Sequence, residues 1–297
     1  MPQALPEELV KEIVLRFPPD DPARLLGAAL VCKDWCRLIC GLGFRRRFRE
    51  FHQNPPLLVI IYRDGEASTS HGSCSWIVIK TSFMPLSTFT LPSACKISSR
   101  DAIDALHSRI LFCDKEDLRG PSAWIELVVW SPVPSQVRRL PLLRLGRRRS
   151  SYTWTAALLC AAAGCDHLDC GSGAFAVIFT GTDSIMGFTS AYVYSSEQDE
   201  WSKPISIRDR SVQGIYRPSA RVGNTVYFLC EASPKLLAFE LHNRALSFVG
   251  TPPTCWNHSF TAFTIADDDG GKLGFAAAQD SYLWMVMLGG HRQESLS

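Results

Sequence analysis

The sequence predicts an α+β, multidomain chain: a small helical domain over residues 1–50, a linker at 51–56, a mainly-β domain over 57–290 and a polar tail at 291–297. Two observations predict it. Apolar residues recur at helical spacing before Asn54-Pro55-Pro56 and at strand spacing after it. Beyond that break one strand–turn–strand unit repeats, with Tyr194, Phe239 and Trp284 each 45 residues apart.

The helices come first. Leu5-Pro6 opens one, since Pro at a first helical position loses no hydrogen bond. Glu7 and Glu8 follow in the first turn, where the helix dipole favours anions. Leu9, Ile13 and Phe17 form a stripe that Val10 and Val14 widen, and Pro18-Pro19 stops it. Asp21-Pro22 reads as an N-cap with Pro at the next place. Leu25, Leu26, Ala29 and Leu30 give the second apolar face; Cys32, Trp35, Cys36 and Ile39 continue it to a stop at Gly41. Gly27 inside this helix costs up to about 1 kcal/mol relative to Ala. Two or three such helices hold more apolar surface than they can bury among themselves. Units below about 40 residues usually need disulfides, a metal or a partner. A helical cap on the following domain is the plainer alternative.

The β part begins with Leu57–Tyr62, a polar loop over Arg63–Ser75 and a strand at Trp76–Ile79. The repeating unit then runs from Arg109–Cys113 to Leu127–Trp130, from Ala176–Phe179 to Ala191–Tyr194, from Val226–Leu229 to Leu236–Phe239, and from Leu273–Ala276 to Tyr282–Val286. Polar segments near Val137–Pro141, Glu200–Pro204 and Leu246–Val249 close the first three. Trp130 to Tyr194 is a longer step of 64 residues, because a basic loop and a Gly-rich loop intervene. Several strands per unit at this period are a propeller-like signature, about five units counted, in a ring that can be small or incomplete. A β-sandwich is the rival. Neither a recurrent Trp-Asp pair nor a recurrent double glycine supports a named repeat class.

The N-terminal string resembles an F-box. The residues that carry the likeness are Leu5-Pro6, Leu9, Ile13, the Pro18-Pro19 break, Val31-Cys32-Lys33-Asp34-Trp35, Arg37-Leu38-Ile39 and the tail Phe44-Arg45-Arg46-Arg47-Phe48. Leu15-Arg16-Phe17-Pro18-Pro19-Asp20-Asp21-Pro22 looks most like plant F-box proteins of the grass type, many of which carry a β-propeller-like domain behind the F-box. Cys36 departs from the pattern, where Arg more often follows the Trp. The resemblance implies that residues 5–40 bind a Skp-family adaptor, and through it a cullin scaffold with a RING subunit. The β domain would then hold a target protein for ubiquitination. Leu5, Pro6, Leu9, Ile13, Val31, Cys32 and Trp35 would be the apolar anchors. A propeller that binds proteins outside any ligase is the alternative.

Other motifs weigh less. Cys165-Asp166-His167-Leu168-Asp169-Cys170 holds possible zinc ligands, but four are needed and no second pair stands at a familiar distance. It reads as a loop joining two strands, and so does a thiol–His pairing within it. No Gly-x-Ser-x-Gly, P-loop or His-Glu-x-x-His string occurs, so no catalytic residue, metal or cofactor is expected. Arg144–Arg149 reads as a solvated basic loop, and Arg45, Arg46, Arg47 and Arg49 as a linker helix with exposed cations. Asp267-Asp268-Asp269-Gly270-Gly271 lacks the ligand alternation of a calcium loop and reads as a hairpin turn. Trp154, Arg148, Tyr216 and Trp256 are candidates for loop tips that could meet a target.

Composition fits this reading. Hydrophobic residues are 46 % of 297, enough for a sizeable core, and the net charge of +2 argues for neither nucleic acid nor a membrane surface. The polar N-terminus is unlike a secretory signal, and the run Ala156–Cys165 is far short of a bilayer span. Eleven cysteines, an odd number in a large chain, read as reduced core thiols, among them Cys32, Cys36, Cys40, Cys113, Cys160 and Cys230. A cytoplasmic or nuclear protein is expected.

Overall fold

Four short helices precede nineteen strands among the described residues. The computed structural model describes residues 5–19, 21–52, 59–68, 76–85, 101–106, 108–118, 122–131, 136–146, 152–161, 173–231, 233–251, 261–265, 272–279 and 282–287. The chain divides into two compact units, residues 1–100 with 164–170, and residues 101–163 with 171–297.

In the first unit, α1 (Glu7–Leu15) starts with Pro6 at its N-cap, whose carbonyl accepts the N–H groups of Leu9 and Val10. α2 (Pro22–Ala29) has Asp21 before it and Pro at its first position, as the sequence predicts. α3 (Lys33–Cys40) is separate from α2, and α4 (Leu42–His52) is a fourth helix that carries the arginine run through to His52. The core of these helices is Val10, Val14, Ala28 and Ile39, with Phe17, Leu25, Ala29, Trp35, Leu38 and Phe44 packed against it. An ion pair and a side-chain contact to the backbone fasten α4 to α1. Arg47 pairs with Glu12, and His52 Nε2 lies 2.8 Å from the Leu15 carbonyl oxygen. The two strands of this unit, β1 (Val59–Ser68) and β2 (Trp76–Pro85), pair antiparallel from Val59↔Pro85 to Ser68↔Trp76. β1 therefore runs through Arg63–Ser68, where a polar loop was expected. Continuous pairing to β2 outweighs the low strand propensity of Asp64 and Gly65.

The second unit is four antiparallel sheets. Sheet one holds β3 (Asp101–Leu106), β4 (Arg109–Asp117), β5 (Ala123–Ser131) and β6 (Gln136–Arg139), with β7 (Leu143–Gly146) also on β5. Sheet two holds β8 (Tyr152–Cys160), β9 (Phe175–Asp183), β10 (Phe188–Ser195) and β11 (Glu200–Trp201), with β12 (Ile205–Arg208) also on β10. Sheet three runs β13 (Gly214–Val222), β14 (Thr225–Glu231), β15 (Lys235–Glu240), β16 (Ala245–Gly250). Sheet four runs β17 (Thr261–Ile265), β18 (Lys272–Gln279), β19 (Tyr282–Met287). Every sheet is a meander taken in chain order. Their first strands pack side by side, β3 on β8, β8 on β13 and β13 on β17, so the sheets radiate from a shared line of inner strands. That is a propeller-like arrangement with no closed barrel.

The cores lie between neighbouring sheets. One takes Leu111, Ile125, Leu127 and Val129 from sheet one and Leu158, Val177, Phe179 and Tyr194 from sheet two. The next takes Ala157, Leu159 and Ile178 from sheet two and Ile215, Val226, Phe228 and Phe239 from sheet three. A third joins Ala220, Leu229 and Leu236 to Leu273 and Phe275 of sheet four. Sheet two thus buries both faces, which is why β8 and β9 show almost unbroken burial rather than alternation.

The recurring aromatics fall on equivalent strands. Trp130, Tyr194, Phe239 and Trp284 sit on β5, β10, β15 and β19, the third strand of each sheet. The inner strands β3, β8, β13 and β17 are the ones that the repeat reading did not delimit.

Candidate functional site

α1 has two apolar stripes and only one faces inward. Val10 and Val14 are 2 % and 0 % exposed, whereas Leu5, Leu9 and Ile13, one turn apart, are 55 %, 50 % and 45 % exposed. The expected stripe of Leu9, Ile13 and Phe17 is therefore split. Phe17, beyond the helix end, packs inward, and the other two point out. Pro6 is exposed beside them. On α2, Leu25 packs inward while Leu26 and Leu30 are 64 % and 78 % exposed, and Val31 follows at 65 %. With Phe51 of α4 at 52 %, seven large apolar side chains described in so small a helical unit stand at least 45 % open. Scattered exposed apolar residues are ordinary; rows at helical spacing mark a face that needs a cover.

α3 corrects one expectation. Cys32, Cys36 and Cys40 are exposed, not core thiols, because Trp35, Leu38 and Ile39 occupy the inward positions of the helix. Cys36 and Cys40 are one turn apart, and the hydrogen bond between them is the main cause that raises the Cys36 thiol above the usual range. Of the other free thiols described, Cys113 and Cys160 are half-buried and Cys230 is buried, its thiol pushed up to about 12 chiefly by burial.

Polar contacts hold the helices without covering the open rows. Lys11 pairs with Glu7 at 2.8 Å and Glu8 at 3.3 Å, and these bonds, Glu7 first, raise its ammonium above the ordinary range. Arg24 pairs with Asp21, Arg37 with Asp34 and Arg46 with Glu50, at 3.0, 3.3 and 3.3 Å. All are short-range, exposed pairs of small energetic weight.

The sequence-predicted anchors are thus brought to one helical unit with different exposure. Leu5, Pro6, Leu9, Ile13, Val31 and Cys32 are open, and Trp35 is half-buried against the helical core. Leu26 and Leu30, part of the predicted apolar face of α2, are open as well. Only the fold separates the two stripes. Of the loop-tip candidates, Trp154 is no tip. It stacks on Phe179 at 5.3 Å and its Nε1 donates to Glu116 at 2.7 Å. Arg148 and Trp256, the Cys165–Cys170 loop, Arg147–Arg149 and Asp267–Gly271 lie outside the described residues, as does the side chain of Tyr216. Among the described residues no group of three His, Cys, Asp or Glu side chains could hold a metal, and no helix is long and apolar enough to cross a membrane.

Residues 3–47 match the F-box domain family. No curated protein matches the chain. Among solved structures, the WD40 domain of SCAP from fission yeast overlaps 67 % of this chain and 52 % of its own at 10 % identity, with a TM-score of 0.38. One of two prolyl endopeptidases overlaps 66 % of this chain and 29 % of its own at 12 % identity, with a TM-score of 0.35. A post-proline cleaving enzyme from Rickettsia typhi overlaps 69 % and 28 % at 10 % identity, with a TM-score of 0.26. The chain spans about half or less of the length of these structures.

Proposed function

We propose that this chain is the substrate-recognition subunit of an SCF-type (Skp–cullin–F-box) ubiquitin ligase. The helical unit docks a Skp-family adaptor, and through it a cullin–RING scaffold; the β unit holds a target protein. The chain itself makes and breaks no bonds. It works by proximity, raising the effective concentration of target lysines beside the charged conjugating enzyme. The plant-type F-box wording fits the same reading, and the assembly would act in the cytoplasm or nucleus.

The observation that carries the reading is the open row of Leu5, Leu9 and Ile13 inside the segment that matches the F-box domain. Burying an exposed Leu or Ile fully contributes about 1.5–3 kcal/mol, so a partner that covers this row and Val31 has enough apolar surface to bind firmly. Leu5, Pro6, Leu9, Ile13, Val31 and Cys32 are assigned as anchors, with Trp35 holding α3 in place behind them.

The test is capture of a purified Skp-family adaptor by the full chain. Leu9→Ser with Ile13→Ser should abolish capture and leave helicity unchanged, since neither side chain belongs to the helical core. Val14→Ala should instead destabilise the helices by about 2–4 kcal/mol, as buried large-to-small changes do. Full capture by the Leu9/Ile13 variant would leave the alternative, a protein-binding propeller outside any ligase.

A further inference from the structure

A cleft of about 360 Å³ lies where sheet one meets sheet two. On one side are Ser131 at the end of β5 and Gln136 and Arg138 of β6; on the other are Gly173 and Phe175, which lead into β9. All come from the same end of their sheets, as the pairings Ile110↔Trp130 and Ala176↔Ser195 require. Strand ends and their turns are where recognition usually resides.

Two guanidinium groups meet over one ring. Arg109, first residue of β4 and 6 % exposed, has its guanidinium carbon 4.8 Å from the centre of the Phe175 ring. Its Nη2 donates to the Gly173 carbonyl oxygen. Arg138 approaches the same ring at 5.6 Å and the Tyr194 ring at 5.9 Å. Its Nη2 donates to the Ser196 carbonyl at 2.7 Å and to Asp199 Oδ1 at 3.1 Å. Tyr194 in turn donates its hydroxyl to Asp199 Oδ1 at 2.7 Å. These contacts fix both forks before any ligand arrives, and preorganised donors lose little on binding.

The bland account is that the two arginines brace one sheet against the next. Bracing explains the bonds to Gly173 and Ser196 and the ion pair of Arg138 with Asp199. It does not explain an open cleft walled, among the described residues, by two guanidinium groups, one hydroxyl, one amide and the apolar Val129 and Val137. Apolar walls with a few convergent polar groups are the composition of a ligand site. A guanidinium fork matches a carboxylate or phosphate in two parallel hydrogen bonds. We infer that this cleft binds the anionic group, carboxylate or phosphate, of a peptide segment of the target protein, with an adjoining apolar side chain against Val129 and Val137. The inference rests on the receptor reading for its biological meaning; binding itself is measured without the adaptor.

The experiment titrates the full chain with three short probes: acetyl-Phe-Glu-amide, acetyl-Phe-phosphoserine-amide and neutral acetyl-Phe-Gln-amide. At least one anionic probe should bind saturably and the neutral one about tenfold or more weaker; the anionic arm that binds tighter tells carboxylate from phosphate. Added salt should weaken that binding. Arg138→Gln, a change at a side chain 42 % exposed, should reduce it by about tenfold, and Arg138→Lys should restore it only in part. Equal binding of all three probes, or wild-type binding by Arg138→Gln, overturns the assignment. Arg109→Gln can fail to fold because it is buried, so Arg138 carries the test. Adaptor capture by Arg138→Gln should stay full. Probe binding by a chain that fails to capture the adaptor speaks against the ligase reading and not against the cleft.

Discussion

Asp104 sits on β3 where a register shift turns its side chain toward the inner strands of two other sheets. Its Oδ2 accepts the Leu158 N–H at 2.7 Å, its Oδ1 accepts the Ala105 N–H at 2.8 Å, and Ser219 of β13 also bonds to it. Burial nonetheless dominates and pushes the carboxyl up to about 6. The folded value is above the ordinary 3.8, so the fold favours the protonated form. Stability from this group is full below about pH 3.8, falls as pH rises toward about 6 and is constant above. Ionisation therefore costs the neutral-pH fold about 3 kcal/mol. Asp104→Asn keeps a carbonyl oxygen for Leu158 and removes the ionisation. In urea denaturation at several pH values, its stability relative to wild type should climb between about pH 4 and pH 6.5 and then level off. A difference that stays constant over that range would show the carboxyl is not the cause.

At the scale of elements, α1 and β9 show the same principle from opposite sides. Both stripes of α1 are apolar, and periodicity marks a helix without saying which stripe its neighbours will take; Val10 and Val14 fall inside because α4 and α3 pack there. On β9, Gly181 is opposite Trp154 of β8, and the Tyr152 ring lies across it. A Cβ at Gly181 would fall 1.9 Å from the Tyr152 hydroxyl oxygen. Tyr152 is itself buried and cannot swing out without opening the core. Gly181→Ala is expected to destabilise the β unit by about 1–3 kcal/mol, as overpacking does. Gly250→Ala, with no atom within 4 Å of the new Cβ, should stay within about 0.5 kcal/mol. Chemical denaturation of both variants checks the contrast; equal effects would mean that the space at Gly181 is not limiting.

Across the β unit, each of the three inter-sheet cores is shared by two sheets, and sheets two and three each contribute to two of them. Tyr194 and Phe179 complete the core of sheet one, and Phe239 fills the core behind sheet two. Damage in one core should therefore spread. Phe239→Leu is expected to cost roughly 1 kcal/mol and to lower amide-exchange protection in β5 and β9 as much as in β14. Loss confined to sheet three would show that the sheets open separately. The cleft at Arg109 and Arg138 belongs to this scale too. Its parts are 64 residues apart from Arg109 to Gly173 and 61 from Arg138 to Asp199.

Residue type and spacing alone determined the helix starts at Pro6 and Asp21, the change of period after the helical segment, and a unit whose aromatic mark returns on the third strand of every sheet. These are local or periodic properties, set by backbone preference and by which residues avoid water. The tertiary structure decided what depends on neighbours. It chose the outward row Leu5, Leu9, Ile13 over Val10 and Val14, and exposed Cys32, Cys36 and Cys40. It also placed the inner strands β3, β8, β13 and β17 side by side, where the sheets converge. The Arg109–Phe175–Arg138 cluster left no pattern to read. Its members are brought together only by the packing of one sheet against the next, and a pattern along the chain carries no record of a contact across it.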